Sequence, residues 1–268
     1  MTTLLVNLCQ QHIIQALRER IQHTEQMVGD QFAFEILQRD ATIAFLAHHW
    51  PHAQDKPAFH RVFNFTALTD TLDDPLLERL VDEQLDAIVE VLPGNHAHAA
   101  ATVLRVYHYQ PVWSIPWLYI PVQSFTYLPA ISSSVQVGKQ SGLAQLAEVL
   151  IAGYGYAGEE AAAWRTFATY GYRASGFVSF LATLDQQPAA AGILHIQHES
   201  ALVDGAATLP AYRGRGLQKA LLAARLLFAK EHGALHAFSR TSLGSISQGN
   251  LQTIGMQVFT QSTAWRRV

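Results

Sequence analysis

Hydrophobic positions recur with a helical period in some stretches of the first half of the chain and as short runs in others. Residues 4–27 place leucine and isoleucine at helical spacing among Gln, His and Arg, which predicts an amphipathic helix. Apolar and β-branched runs of six to eleven residues predict strands. The predicted elements are a helix at 4–27, strands at 32–37, 42–47 and 59–68, a helix at 74–86, a strand at 87–92, a helix at 97–109 and a strand at 112–122.

The same order of elements recurs after a loop at 129–138 that contains three consecutive serines. The predicted elements there are helices at 143–151 and 159–170, strands at 177–184, 190–198 and 201–209, a helix at 217–232, a strand at 234–239, a helix at 247–254 and a strand at 257–265. A repeated succession of elements predicts two copies of one fold. We therefore expect two α/β domains, at 1–130 and 131–268, each a mostly antiparallel mixed sheet flanked by helices.

The composition narrows the class of protein. Of the 268 residues, 49% are hydrophobic and 15% are charged, which is too apolar for a disordered chain. The most apolar run, at 112–122, is too short to cross a bilayer and contains two prolines. The first residues do not resemble a secretory signal, and Cys9 is the single cysteine, which excludes an internal disulfide. We expect a cytoplasmic protein with no membrane partner, and the low charged fraction fits either two packed halves or a homodimer.

The charges are unevenly distributed along a chain whose formal net charge is −3. Residues 205–268 carry a net charge of +7, and residues 1–204 carry −10. A chain that is acidic overall gives no reason to expect a nucleic acid partner. The basic C-terminal segment instead predicts a site for a small polyanion.

The most informative segment joins a predicted strand to a predicted helix. Residues 209–218 have the sequence LPAYRGRGLQ. Two glycines at the start of a helix let the backbone approach a ligand, and the unpaired N–H groups of the first helical turn bind phosphate oxygens. Arg213, Arg215 and Lys219 add positive charge there. The three-glycine dinucleotide pattern and the Gly-Lys-Ser/Thr of a P-loop are both missing, which excludes those two kinds of nucleotide site. Because a Gly-x-Gly before a helix can also be no more than a tight bend, that is the alternative to a phosphate site.

This segment resembles the pyrophosphate loop of the GNAT superfamily of acyl-CoA-dependent N-acyltransferases, (Gln/Arg)-x-x-Gly-x-(Gly/Ala). Gly214 and Gly216 occupy its two small positions, whereas Ala211 stands where Gln or Arg is usual. Residues 247–256, SQGNLQTIGM, are similar to the superfamily's Asn-x-x-x-x-Gly-Phe ending, with Met256 in place of Phe. The resemblance covers about residues 140–268.

The resemblance implies acetyl-CoA as the acyl donor and no metal. The pantetheine arm would pair with the backbone of Thr208 and Leu209, where the predicted strands at 201–209 and 234–239 separate. The pyrophosphate would lie on the loop amides, and Asn250 with Ser247 would lie beside the thioester. Either of those two residues could instead cap a helix. The implied cofactor contacts are Thr208, Leu209, Arg213, Gly214, Arg215, Gly216, Leu217, Gln218, Ser247 and Asn250.

The first copy departs from the loop pattern at the equivalent place. Residues 69–75, TDTLDDP, contain no glycine and three aspartates, which would repel a pyrophosphate. We therefore expect a degenerate GNAT-like half that holds no CoA and packs against the acceptor site of the other half.

Amine acetylation by a thioester needs a base for the ammonium proton and an acid for the thiolate. The resemblance places the base on or near the predicted strand at 201–209, where the candidates are Glu199 and Asp204. Glu199 could equally be an exposed hairpin carboxylate, Asp204 could belong to a β-bulge, and His195 is a further candidate base. The family's tyrosine acid is missing after residue 212. Solvent could replace it, and the other tyrosine candidates are Tyr154, Tyr156, Tyr170 and Tyr172.

These patterns favour an N-acetyltransferase that moves an acetyl group from acetyl-CoA to a primary amine by direct transfer in a ternary complex. The acidic first 204 residues favour a cationic acceptor, such as a polyamine, an aminoglycoside-like compound or a basic peptide. The alternative is a non-catalytic acyl-CoA-binding or regulatory module, which Ala211 and the missing tyrosine would fit.

Overall fold

A computed structural model describes residues 2–51, 59–67, 72–94, 96–127, 135–140 and 142–268. The helices are α1 (Thr2–Val28), α2 (Pro75–Asp82), α3 (Ala97–Val106), α4 (Leu143–Tyr154), α5 (Gly158–Gly171), α6 (Leu217–Glu231) and α7 (Ile246–Thr253). The strands are β1 (Phe34–Arg39), β2 (Thr42–Ala47), β3 (Arg61–Phe63), β4 (Ile88–Val91), β5 (Tyr109–Pro121), β6 (Val135–Gln140), β7 (Phe177–Leu184), β8 (Gln187–Gln197), β9 (Ser200–Thr208), β10 (His236–Arg240) and β11 (Gln257–Arg267).

Most predicted elements are confirmed, and β2 and β7 have the predicted bounds. Two differences have local causes. β3 is shorter than the predicted strand at 59–68, because Asn64 adopts a φ of 53° and leaves the extended conformation. β6 was predicted as part of a loop, but its alternating apolar and polar residues pair antiparallel with β7.

The chain packs into two compact units, each of which combines distant segments. The large unit comprises Met1–Gly29 and Trp117–Phe259, and the small unit comprises Asp30–Pro116 and Thr260–Val268. The boundary predicted near residue 130 lies outside the described residues. The units differ from a division at that point because α1 packs against α5 of the large unit, and the end of β11 pairs with β4 of the small unit.

The strands of the large unit form a mixed sheet in the order β6-β7-β8-β9-β10-β5, to which β5 contributes its last residues. β6 to β9 are antiparallel, β10 is parallel to β9, and the end of β5 is antiparallel to β10. Side chains alternate between the faces of a sheet. Ala191 and Ile193 pack with α4 and α5, whereas Ala190 and Leu194 pack with α6, so helices cover both faces.

The strands of the small unit repeat this pairing. β1 to β3 are antiparallel, β4 is parallel to β3, and the end of β11 is antiparallel to β4. α2 connects β3 to β4 as α6 connects β9 to β10. The predicted mixed α/β class and the repeated topology are therefore confirmed.

A buried hydrogen-bonded chain fixes α1 to the sheet of the large unit. His12 Nε2 lies 2.8 Å from His195 Nδ1, and His195 Nε2 lies 2.8 Å from a carboxylate oxygen of Glu19. Because a carboxylate only accepts, His195 donates from Nε2 and accepts the Nε2–H of His12 at Nδ1. Burial, followed by the nearby His195, lowers the pKa of His12 to about 3. His12 is therefore neutral in this series of hydrogen bonds at neutral pH.

We predict that His12 makes the fold sensitive to acid. Below pH 6.5 the unfolded chain binds a proton at His12, whereas the native protein binds it only near pH 3. The free energy of unfolding is therefore not reduced by His12 above pH 6.5 and falls as the pH drops from 6.5 towards 3. The slope contributed by one such group is at most about 1.4 kcal/mol per pH unit.

Urea unfolding between pH 8 and pH 4 measures this slope. His12→Leu should lose part of it, whereas His232→Leu, at an exposed histidine of the same unit, should keep the whole slope. Equal slopes in the wild type and in His12→Leu would contradict the assignment.

Candidate functional site

An extra residue in β9 interrupts its pairing with β8. Gly192 pairs with Ala206 and Ile193 pairs with Asp204, so Gly205 has no counterpart on β8. This is the β-bulge that the sequence left open as an alternative role for residues 204 and 205. The bulge lies in the middle of the sheet of the large unit.

β9 and β10 also separate near this bulge. Their parallel pairing covers only residues 200–202 of β9 and 236–238 of β10. One further bond follows, from Ser239 Oγ to the Val203 carbonyl at 2.9 Å. Among the described residues, 204–208 have no strand partner on the β10 side. The result is an opening between two central strands, where the resemblance implies that they separate.

Arg225 of α6 fills the bulge from one face of the sheet. Its side chain is buried, and Nη1 donates to the carbonyls of Ile193 at 3.0 Å and Asp204 at 2.9 Å, while Nε donates to the Leu221 carbonyl at 3.2 Å. A Cβ on Gly192 would lie 2.9 Å from the guanidinium carbon, so glycine makes room for the arginine. Burial lowers the pKa of Arg225 to about 10, which leaves it charged at neutral pH. The sequence analysis missed this residue, although an arginine four residues after Leu221 on the apolar stripe of the helix signals it.

The turn after β9 leaves the beginning of α6 open. Gly214 and Gly216 both adopt a φ of 76°, a left-handed conformation that glycine adopts without strain. Gly216 is the N-cap residue, and no side chain of the described residues caps the helix. A Cβ at either glycine would meet no atom within 4 Å. The first N–H groups of α6 therefore have no acceptor among the described residues.

Two of the predicted loop residues brace the end of β9. Arg213 donates from Nε to the Thr208 carbonyl at 3.3 Å and from Nη2 to the Gly153 carbonyl at 3.0 Å. Gln218 donates to Thr208 Oγ1 at 2.9 Å. Both side chains are thus held by the scaffold on which a ligand would lie.

Other predicted loop residues differ in what they offer a ligand. Arg215 and Lys219 form no ion pair with the described residues, and the guanidinium of Arg215 lies 6.0 Å from the Tyr212 ring centre. Leu217, the first residue of α6, has a buried side chain and so offers its backbone amide. Leu209 already donates its N–H to the Ala189 carbonyl and accepts from the Tyr212 N–H.

Neither Ser247 nor Asn250 caps α7. The N-cap is Ser245, whose hydroxyl accepts the Gln248 N–H at 3.1 Å. Ser247 is exposed at the second position of the helix, and Asn250 is half-buried near its middle. The capping alternative is therefore excluded for both, which leaves their side chains for ligand contact.

The two candidate carboxylates lie at different ends of β9. Glu199 is exposed in the turn before β9, and six residues at about 3.3 Å each separate it from Gly205 by about 20 Å. Asp204 lies directly beside the bulge, its side chain 37% exposed, with a carboxylate oxygen 3.7 Å from Nη1 of Arg20. The structure thus brings Asp204 to the opening and does not bring Glu199 there.

Two of the four candidate tyrosines reach the bulge with their hydroxyls. The Tyr154 hydroxyl accepts the Ala206 N–H at 3.0 Å, and the Tyr172 hydroxyl lies 3.3 Å from where a Cβ on Gly205 would be. Removal from water, followed by the negative charge of Asp204, raises the pKa of Tyr154, and burial raises that of Tyr172. Tyr172 is buried whereas Tyr154 is 47% exposed, so Tyr154 is the more accessible of the two side chains.

The remaining acid–base candidates are engaged elsewhere. Tyr156 stacks on Trp164 with ring centres 5.2 Å apart, and Tyr170 lies beside the guanidinium of Arg173. His195 is buried in the hydrogen-bonded chain with α1. Contacts within the protein thus engage all three side chains.

The equivalent place in the small unit is closed by a carboxylate. Asp74 caps α2 by accepting two N–H groups of its first turn, and its other oxygen accepts from Arg39 at 2.8 Å. Its backbone N–H donates to the Tyr107 hydroxyl. Asp73 adds a second negative charge, and Asp70 lies outside the described residues. A phosphate would meet a negative charge and an occupied helix terminus here.

The described part of the chain contains no group of three or more His, Cys, Asp or Glu side chains suited to a metal ion. In the same residues, no helix is long and apolar enough to cross a membrane.

Comparison with known proteins assigns residues 143–252 to the acetyltransferase (GNAT) family. This part of the chain, which contains α6 and its glycine turn, is a GNAT domain. No curated protein matches the chain.

Solved structures share the fold over most of the chain. A GCN5-related N-acetyltransferase from Kribbella flavida is 17% identical, with a TM-score of 0.60 over 93% of this chain and 95% of that one. The enzyme of the same description from Sphaerobacter thermophilus is 14% identical, with a TM-score of 0.60 over 94% and 91%. A tandem GNAT protein from the clavulanic acid biosynthesis pathway is 10% identical, with a TM-score of 0.59 over 84% and 77%. At these identities the likeness is one of fold.

Proposed function

We propose that the protein is a cytoplasmic N-acetyltransferase that transfers an acetyl group from acetyl-CoA to a primary amine in a ternary complex. The observation that carries this proposal is the contrast between two equivalent helices. The N-terminus of α6 is open and flanked by Arg215 and Lys219, whereas the N-terminus of α2 is filled by Asp74. Among the described residues, the pyrophosphate site would therefore lie in the large unit, and we expect the small unit to hold no CoA.

The donor would lie along the opening between β9 and β10. The pyrophosphate would accept hydrogen bonds from the N–H groups of residues 214–218. The net charge of +7 over residues 205–268 would favour binding of this anion. The pantetheine arm would pair with β9 near Thr208, with the bonds of Arg213 and Gln218 fixing that strand end. Both backbone groups of Leu209 already form hydrogen bonds. Leu209 would therefore contact the donor only through the second lone pair of its carbonyl. Ser247 and Asn250 would contact the donor from α7.

The reaction would take place at the bulge. The amine nitrogen forms a bond to the thioester carbonyl carbon, and the bond from that carbon to sulfur breaks. Asp204 accepts one proton of the ammonium group, directly or through water, before the attack, and Tyr154 donates a proton to the leaving thiolate. The second proton, which the nitrogen loses on becoming an amide, returns to Tyr154 through water. The raised pKa of Tyr154 keeps its hydroxyl protonated at neutral pH, as this role requires.

The acceptor would be a cationic small molecule or a basic peptide rather than a nucleic acid. Asp204 presents a partly exposed carboxylate at the opening, and the net charge of −10 over residues 1–204 would attract a cation from a distance. The second candidate function is an acyl-CoA-binding module without catalysis. Ala211, which stands where the family has Gln or Arg, favours it.

Donor binding tests the loop directly. Isothermal titration of acetyl-CoA and CoA into the wild type should give micromolar dissociation constants. Gly214→Glu should weaken binding about 30-fold or more, because its carboxylate would repel the pyrophosphate. Gly214→Ala, which adds backbone strain without charge, should weaken it less than about fivefold.

Gly138→Glu serves as the charge control for that titration, because it adds a carboxylate at another glycine whose Cβ direction is open. It should bind acetyl-CoA like the wild type. A wild type that binds neither acetyl-CoA nor CoA would overturn the proposed function.

Turnover distinguishes the two candidate bases and the two candidate functions. With acetyl-CoA and a panel of primary amines, thiol release should fall about 100-fold in kcat for Asp204→Asn at an unchanged donor KM. Glu199→Gln should leave kcat unchanged, because Glu199 lies about 20 Å from the bulge. Donor binding without turnover of any amine would favour the non-catalytic module instead.

A further inference from the structure

The N-terminal helix brings a buried cation to the candidate base. Arg20 of α1 has a side chain that is 10% exposed, and its Nη1 lies 3.7 Å from a carboxylate oxygen of Asp204. Its guanidinium carbon lies 4.3 Å from the ring centre of Phe167 and 4.1 Å from that of Tyr172. A guanidinium held between two aromatic rings is confined to one place. Arg20 is therefore fixed beside Asp204.

The packing of α1 on α5 sets this position. A Cβ on Gly171 would lie 3.2 Å from Thr24 Oγ1 and 3.3 Å from the Cβ of Arg20, so the glycine lets the two helices approach closely. Thr24 donates its hydroxyl to the Arg20 carbonyl at 2.7 Å. About two turns before Arg20 along α1, the hydrogen bond from His12 to His195 ties the helix to β8. Two independent contacts thus hold the segment that carries Arg20.

The other charged or titratable groups around Asp204 come from different elements. Tyr154 from α4 and Tyr172 from the end of α5 interact with its carboxylate on one face of the sheet, and Arg225 of α6 binds its backbone carbonyl from the other face. Among these groups, Arg20 is the cation paired with the carboxylate itself.

We propose that Arg20 is a positioning residue for acyl transfer that holds the Asp204 carboxylate in place beside the bulge. This inference rests on the proposed function, in which Asp204 is the base. The attraction between a carboxylate and a cation about 4 Å away is large where the cation is removed from water, so a fixed guanidinium favours one orientation of the Asp204 side chain. The active site therefore includes α1, although α1 precedes the GNAT-family match and lies at the other end of the sequence.

Arg20→Met and Arg20→Lys test the proposal through the split between turnover and donor binding. Arg20→Met should lower kcat about tenfold, because Asp204 loses the fixed cation that orients it. Arg20→Lys, which keeps the charge, should restore part of kcat. The dissociation constant of acetyl-CoA should stay within twofold in both variants. Arg165→Met, which removes an exposed arginine paired with Glu148 on the neighbouring helices, should leave kcat unchanged.

A double-mutant cycle separates this role from a structural one. If Arg20 acts through Asp204, Arg20→Met should lower kcat no further in an Asp204→Asn background, whereas a structural defect would lower it there as well. Wild-type kcat in Arg20→Met, or the same loss in both backgrounds, would overturn the role of Arg20 and leave the proposed function standing. A wild type that binds acetyl-CoA but acetylates no amine would overturn the acyltransferase instead. If Arg20→Met does not fold, Arg20→Gln, which also removes the charge, takes its place in the cycle.

Discussion

One extra residue in β9 constrains the whole candidate site. Because Gly205 has no partner on β8, β9 changes direction in the middle of the sheet and cannot stay paired with β10 beyond Leu202. The exposed carbonyls of a bulge need donors, and the buried guanidinium of Arg225 supplies them. A cation thereby lies under the point where the reaction would develop negative charge. The opening between β9 and β10 and the buried position of Arg225 both follow from this single irregularity.

The two units show how one topology serves different ends through the residues at one helix terminus. In both, three antiparallel strands lead through a helix to a parallel fourth strand. A β-strand followed by a helix always presents unpaired N–H groups, and the residue at the cap decides what they bind. Asp74 satisfies those of α2 from within the protein, whereas Gly216 leaves those of α6 for an anion from outside.

Features coded by neighbouring residues could be predicted from the sequence. The periods of helices and strands placed most elements, and the glycines at 214 and 216 marked the turn, because both depend on local geometry. β6 was missed because Gly138 and the preceding serines suggested a loop, while its partner β7 lies almost forty residues further on. The membership of α1 in the large unit and of the end of β11 in the small unit likewise depends on distant packing.

The site was predictable to the same extent. The loop residues followed from a motif, but the choice of Asp204 over Glu199 required the position of the bulge along β9. Arg225, Arg20 and the hydroxyl of Tyr154 reach that bulge from α6, α1 and α4, and no local pattern relates those helices to Gly205. Tertiary packing therefore supplied the groups that surround the opening.

Amide hydrogen exchange with and without acetyl-CoA tests the central claim most directly. If the donor lies along the opening and on the N-terminus of α6, exchange should slow in peptides covering residues 204–219 and stay unchanged at the Asp74-capped N-terminus of α2. Unchanged exchange in 204–219 at saturating acetyl-CoA, or protection at α2 instead, would contradict the account.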